Sequence, residues 1–210
     1  MNIKTFCLTI GLTIFGAMLR GQNGLCLKYA GVSNGINNDT LKVFYLNGNS
    51  FNQVTKVNSN QPYYRTLKLK SKPESTFNIF ADNTYRMVPD VQIKEYNVKV
   101  IGREKVGKYE CTKIIVSTFV SGSESTIWVT TDIPDYKNYI GISVVDFKTE
   151  RINDALKKFN VVGIPVKIVY KVQGNLSYEL VSAEACELSA DMFNIDLYTN
   201  SKTAQTPESK

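Results

Sequence analysis

From Leu25 onward the chain is written in short runs that alternate apolar and polar side chains, separated by residues that turn a backbone. A period of two sends successive side chains to opposite sides of a strand, so a chain patterned this way is committed to sheet. Leu25, Leu27 and Tyr29 share one side of the first run, and Leu41 to Leu46 forms the next. Asn47-Gly48-Asn49 then makes a strong hairpin turn into Phe51 to Val57. In Tyr63 to Lys70, Tyr63, Arg65, Leu67 and Leu69 oppose Tyr64, Thr66, Lys68 and Lys70. Thr76 to Phe80 and Tyr85 to Val88 flank Asp82-Asn83, while Tyr96 to Ile101 and Tyr109 to Phe119 flank an expected loop from Gly102 to Gly107. Ser121-Gly122-Ser123-Glu124 turns the chain into Ser125 to Thr131, and Pro165 to Val172 and Leu176 to Cys186 form a last hairpin around Gly174-Asn175. Met192-Phe193-Asn194-Ile195 closes the core.

The period changes once. Ile152, Ala155, Leu156 and Phe159 fall at i, i+3, i+4 and i+7, the stripe of an amphipathic helix. Its apolar side needs a partner, and the sheet is the one available. The expected class is therefore α+β: a mostly antiparallel curved β-sheet of about ten strands, a half-barrel or open barrel, with one or two covering helices. A concave face of this kind either holds an apolar ligand or is filled by its own Leu, Tyr and Phe side chains. The helix at 150–159 would roof it.

The start of the chain carries an address. Lys4 precedes an apolar run from Thr5 to Leu19, too short to span a bilayer, which needs roughly 20 apolar residues. A signal peptide over 1–21, cut before Gln22, fits better. Neither Cys7, inside the run, nor Cys26, preceded by Leu25, makes a lipoprotein acylation site. One β-rich domain is expected over 22–198. A disordered tail over 199–210 follows, with its Ser, Thr, Lys, Pro and Glu and no apolar anchor.

Composition narrows the chemistry. Removing 1–21 takes Lys4 and Arg20 and no acid, so the mature chain has 25 − 2 = 23 basic against 19 acidic residues, a net of +4. The lysines are spread among strands such as Lys68-Leu69-Lys70, where a nucleic-acid domain would gather them in a patch. No nucleic-acid partner is expected. Histidine is missing altogether, which removes Ser-His-Asp and Cys-His nucleophiles and imidazole-bound zinc. Asp132 and Asp135, with Asp146 and Glu150 nearby, are the remaining candidates for carboxylate chemistry, without the spacing of a calcium loop. Acidic loops after strands commonly have no such role. The Gly102/Gly107 pair and Ser121-Gly122-Ser123 lie between strands, where no helix N-terminus could hold a phosphate. No cofactor and no metal is called for. Cys26, Cys111 and Cys186 remain after processing, and an oxidising compartment favours one disulfide and one free thiol among them.

Four segments, in order, resemble a known pattern. Val106-Gly107-Lys108-Tyr109-Glu110-Cys111-Thr112-Lys113 is similar to a G-Y-x-C-x-K strand, and Thr126-Ile127-Trp128-Val129-Thr130-Thr131-Asp132-Ile133-Pro134 to W-V-x-x-D-[IL]-P. Gly163-Ile164-Pro165-Val166-Lys167-Ile168 is similar to G-[IL]-P-[LV]-K, and Ala190-Asp191-Met192-Phe193-Asn194-Ile195 to D-x-x-F-x-I-P, with Asp196 in place of the closing proline. Together they resemble the exported bacterial family catalogued as domain of unknown function 4412, over roughly 96–195. Tyr109, Cys111, Trp128, Asp132, Pro134, Gly163, Pro165 and Phe193 carry the resemblance. At fold level that family resembles the periplasmic lipoprotein carriers of the Lol system, which implies binding, without catalysis and without assigned active-site residues. The resemblance also biases the disulfide. Cys111 stands where the family strand already has a cysteine, whereas Cys26 and Cys186 lie outside the pattern at opposite ends of the chain, and that implies their pairing.

The expected function is that of a non-enzymatic periplasmic or cell-envelope binding protein with an apolar ligand on the concave face: a lipid, an acyl chain or a hydrophobic protein segment. The alternatives are an envelope interaction or assembly module with a filled core, and a carboxylate-dependent enzyme.

Overall fold

The computed structural model describes residues 21–72, 75–89, 96–118, 124–134, 136, 159–171 and 176–200. In chain order the strands are β1 (Gln22–Ser33), β2 (Ile36–Leu46), β3 (Asn49–Lys56), β4 (Pro62–Lys68), β5 (Ser75–Ile79), β6 (Thr84–Pro89), β7 (Tyr96–Val106), β8 (Tyr109–Thr118), β9 (Glu124–Thr130), β10 (Ile164–Tyr170), β11 (Leu176–Leu188) and β12 (Thr199–Asn200). All twelve belong to one curved open sheet, ordered β12-β6-β5-β4-β3-β2-β1-β11-β10-β9-β8-β7. Two meanders are visible in that order. β1 to β6 follow one another across one half, β7 to β11 across the other, and β1 pairs antiparallel with β11 at the seam.

Local chemistry explains the meanders. Asn34-Gly35 joins β1 to β2 and Asn47-Gly48 joins β2 to β3, all four residues at positive φ (52°, 79°, 53° and 86°). Two successive positive φ values give the hairpin turn whose twist matches the strands, and Asn-Gly adopts it most readily. Gly102, expected to open a loop, instead continues β7: the strand runs on to Val106, with a register shift between Val100 and Gly102. The turn itself is only Gly107-Lys108.

Register assigns the faces. Leu25, Leu27 and Tyr29 stand opposite Tyr45, Val43 and Leu41. The same face, here called inner, continues through Val54 in one direction and through Tyr178, Ile168, Ile127 and Ile114 in the other. These side chains form the larger core. The Tyr29 hydroxyl donates to the Pro165 carbonyl at 2.9 Å, lacing β1 to β10 across β11.

The outer face of β2 to β6 carries a second core of Phe44, Phe51, Leu67, Phe77, Ile79 and Tyr85. It is covered by the chain's C-terminal stretch, which contributes Leu188, Met192, Phe193, Ile195 and Tyr198. Two short 3-10 turns, Ala190–Phe193 and Ile195–Leu197, shape this stretch, and the side chains of Ser189 and Asn194 cap them by accepting from the backbone N–H groups of Asp191 and Asp196. Thr199 and Asn200, assigned from sequence to the tail, then pair in parallel with Thr84 and Tyr85 of β6. That pairing supplies the twelfth strand, against about ten expected.

The expected covering helix at 150–159 falls, but for Phe159, outside the described residues. No α-helix occurs among the described residues, and the observed cover lies on the outer face as 3-10 turns. Ile152, Ala155 and Leu156 lie outside the described residues, as do the signal segment up to residue 20 and the tail from 201. Phe159, the fourth member of the stripe, sits in a turn beside Asn160 (φ 54°) and is 47% exposed. The backbone there is already turning toward β10, so the ring projects to solvent. No helix among the described residues is long and apolar enough to cross a membrane.

Burial ranks two substitutions. Phe77 is 1% exposed, so Phe77→Ala should lower stability by about 3–5 kcal/mol. Phe159→Ala should fall within about 0.5 kcal/mol of the parent. Urea unfolding of the disulfide-bonded protein checks both, and a larger loss at Phe159 would place that ring in the core.

Candidate functional site

Most of the residues that carry the family resemblance gather at the ends of β8, β9 and β10. Gly163 has φ 141°, and a Cβ placed on it would lie 2.2 Å from the Thr130 carbonyl oxygen. Only glycine allows both the backbone conformation and that approach. Thr130 is fully buried, and its hydroxyl donates to the Glu110 carbonyl at 2.9 Å. The Asp132 backbone N–H donates to that same hydroxyl oxygen at 3.1 Å, and the Glu110 N–H donates to the Asp132 carboxylate at 2.8 Å. Asp132 therefore closes a latch between the start of β8 and the end of β9, a structural task for the carboxylate that sequence offered for acid–base work. Asp135, Asp146 and Glu150 lie outside the described residues, and among the described ones no cluster of three metal-ligating side chains occurs.

The other motif residues continue the pattern. Cys111 pairs with Thr130 in register, is buried, and directs its thiol to the Tyr109 carbonyl at 3.6 Å. Burial pushes that thiol up in pKa, away from the thiolate a nucleophile needs. The Tyr109 ring lies under the Lys108 ammonium, 5.3 Å from its centroid. Pro165 supplies the carbonyl that Tyr29 binds. Pro134 is exposed in the turn after Ile133, which is buried. Phe193 stands apart, in the outer-face core.

Trp128 belongs to a row that only the register could reveal. Lys113, Trp128, Lys167 and Glu179 are cross-strand neighbours on the outer face of β8 to β11, and Glu104 of β7 joins Lys113 at 2.8 Å. Lys167 meets Glu179 at 3.1 Å. Both ammonium groups lie over the indole, 5.0 and 5.7 Å from its centroid, so two lysine stems shield the ring and two carboxylates balance the lysines. Glu104 is held below the usual carboxylate range, first by the Lys113 hydrogen bond and then by the Trp128 indole N–H. That N–H is buried without an acceptor at hydrogen-bonding geometry, so it acts on Glu104 as a dipole. The row neutralises itself.

The inner face changes character from one meander to the other. Around β1, β2 and β8 to β11 it is apolar, whereas at β3 to β5 its positions hold Ser50, Thr66 and Thr76, all buried. Near one end of β2, Asp39 influences two tyrosines. Tyr63 is pushed up to about 12 by burial and by the charge and hydrogen bond of Asp39. Tyr178 is also raised, chiefly by burial, and Tyr29 more strongly for the same reason.

Cys26 and Cys186 are joined, with Cα atoms 6.0 Å apart, and Cys111 is free. The bridge is diagonal, because Cys26 stands opposite Glu184 and Cys186 opposite Gly24. The two cysteines meet at the middle of an open sheet, because each meander grows outward from the seam.

A family model matches residues 34–196, well beyond the half of the chain that the motifs cover. The chain belongs to the family described as domain of unknown function (DUF4412). No curated protein matches it. Among solved structures, PNGF-II is similar with a TM-score of 0.53 and 16% identity over 82% of this chain, which spans only 30% of that one. A DUF1329 family protein from Desulfovibrio piger has a TM-score of 0.40 at 10% identity, covering 89% of this chain and 95% of that one. A LolA superfamily protein from Nitrosomonas europaea has a TM-score of 0.35 at 9% identity, covering 84% and 91%. At these identities the likeness to PNGF-II concerns the fold alone.

Two outcomes follow for this DUF4412 chain. Gly163→Ala should destabilise it by about 2 kcal/mol or more, since the new methyl meets backbone that has no rotamer to change. A loss under about 0.5 kcal/mol in urea would mean the latch relaxes freely. At alkaline pH the raised tyrosines set the sign: the unfolded phenols ionise near pH 10 while the folded ones hold their protons. Their contribution is complete below about pH 10 and is lost as pH rises from there toward 12. An ultraviolet titration should show tyrosines that ionise only as the chain unfolds; full tyrosinate absorbance with native circular dichroism would contradict this.

Proposed function

We propose that this chain is an exported binding protein of the cell envelope, one that works by holding a partner and carries out no chemistry itself. The observation behind the reading is the fate of the family-motif residues. The Asp132 carboxylate ties β9 to β8, Gly163 lies against the Thr130 carbonyl, the Cys111 thiol turns to the Tyr109 carbonyl of its own strand and the Pro165 carbonyl holds Tyr29 of β1, so the pattern preserves a scaffold. Export is supported by the apolar run after Lys4 and by the Cys26–Cys186 bridge, since disulfides persist in oxidising compartments.

Two occupants suit such a scaffold: an apolar ligand on the inner face, or a protein met on the outside. One observation favours the protein. Leu27, Tyr29, Leu41, Val43, Ile114 and Ile164 are at most 1% exposed in the chain by itself, so a lipid would have to displace packed side chains. Close-packed interiors resist such insertion. The PNGF-II likeness, in which this fold accounts for a fraction of a longer chain, is compatible with a module that serves other domains or proteins.

Native mass spectrometry of the protein purified from its own host decides between them. The expected spectrum starts near Gln22, carries one disulfide and includes a complex with an envelope protein. A co-purifying lipid with no protein partner would move the reading to the inner face.

A further inference from the structure

The first strand begins where the leader is expected to end. Gly21 is the last residue of the signal segment read from the sequence, and Gln22 opens β1. The fold sets that junction against the end of β11. Gln22 stands opposite Leu188, and a Cβ placed on Gly21 would lie 2.9 Å from the Cβ of Glu187. A peptidase cuts an accessible, unpaired segment, and once β1 has paired its neighbour stands in the way. β11, Leu176–Leu188, is the last long strand to be made, so until it emerges β1 is unpaired on that side. Processing therefore falls before the seam closes, and it leaves glutamine as the first residue of the mature chain.

An N-terminal glutamine carries both partners of a cyclisation. Its α-nitrogen attacks its own side-chain carbonyl carbon: the N–Cδ bond forms, the Cδ–Nε2 bond breaks, and ammonia leaves with the proton the amine gives up. The product is the five-membered lactam pyroglutamate. No oxidant and no second substrate is consumed. An α-ammonium loses its proton near pH 8, so the attacking amine is present at neutral pH. Both groups belong to one residue, which removes the cost of bringing them together.

The folded chain treats the two ends of that carboxamide differently. The Gln22 Oε1 accepts from the Asn47 Nδ2 at 2.8 Å. Its Nε2 has no partner among the described residues, and the side chain is exposed. The oxygen that is held is the atom a lactam keeps, and the nitrogen left free is the atom that departs. Asn47 is itself fixed, at φ 53° in the turn with Gly48 between β2 and β3, so its donor stays at the strand end. The lactam nitrogen retains one N–H, as an internal strand residue does.

We propose that Gln22 of the mature chain is converted to pyroglutamate and that the end of β1 seats the lactam, with Asn47 donating to its carbonyl. The modification removes the α-amine that aminopeptidases require, on the strand whose pairing with β11 joins the two meanders. It rests on the reading of the chain as exported, and adds a chemical change at the point of processing.

Intact-mass and N-terminal analysis of the disulfide-bonded protein from its own host tests this. The chain should start at residue 22, be lighter than the uncyclised form by one ammonia, about 17 Da, and give no N-terminal sequence until a pyroglutamyl peptidase has acted on the unfolded protein. Gln22→Ala should restore a free amine and abolish the mass deficit, with native circular dichroism. Asn47→Gly keeps a residue suited to positive φ and removes the donor. The peptidase should then release residue 22 from the folded, cyclised chain about fivefold faster than from the parent, the effect of one neutral hydrogen bond. An unchanged rate would overturn the seat at Asn47. A start at Gln22 with a free α-amine, or a start at another residue beyond the leader, would overturn the modification and leave export standing. A chain that still carries Met1 would overturn the export reading and the modification with it.

Discussion

The pairing of β1 with β11 is the constraint on which the rest of the structure depends. These are the first strand and the last long one, separated in sequence by nearly the whole domain, and they lie side by side at the centre of the sheet. Every other neighbouring pair except β12 with β6 is a step within one meander, or the return from β9 to β10. Without the seam the chain would be two antiparallel sheets, each with an apolar face and two open edges. With it, Leu25, Leu27 and Tyr29 stand between the β2 side chains and those of β11, and the inner core runs continuously from one meander to the other.

Closing so long a loop is entropically costly, and the structure answers with several interactions at the same place. The Cys26–Cys186 bridge spans 160 residues, worth about 5 kcal/mol in a chain-entropy account. The buried Tyr29 hydroxyl bond to Pro165 extends the seam by one more strand. Beyond β11 the chain crosses to the outer face of the first meander, where Phe193 and Met192 pack against the aromatic rings of β2 to β6. The C-terminal stretch thereby ties the second half of the chain to the first a second time, from the opposite side of the sheet.

This arrangement separates two kinds of surface. The inner face and the covered part of the outer face are packed, and the residues shared with the DUF4412 pattern hold them so: the latch of Thr130, Asp132 and Glu110 against Gly163 joins the ends of β8, β9 and β10. The row from Glu104 through Trp128 to Glu179 balances its own charge on the remaining outer face. Among the described residues β7 is the terminal strand at one edge of the sheet and pairs with β8 alone.

Much of this was legible in the sequence. The alternation at Leu25-Cys26-Leu27-Lys28-Tyr29 and the Asn47-Gly48 turn announce strands and a hairpin because strand periodicity and positive φ are local properties of the chain. Of the helical stripe only Phe159 falls among the described residues, in a turn that leads to β10. Gly102 read as a loop because glycine permits loops; its neighbours on β8 made it part of a strand. The roles of Asp132 and Trp128 were invisible for a plainer reason. A carboxylate is a general acid or a latch according to the groups that face it, and a lysine is a charge or a shield according to the strand beside it. The sequence by itself determined the strands, the turns and the sides on which apolar residues would lie, since each follows from a few neighbouring residues. Only the tertiary structure decided that β1 meets β11 at the centre, that the C-terminus covers the outer face and that β7 is left at the rim, because pairing between distant strands is settled by the whole buried surface.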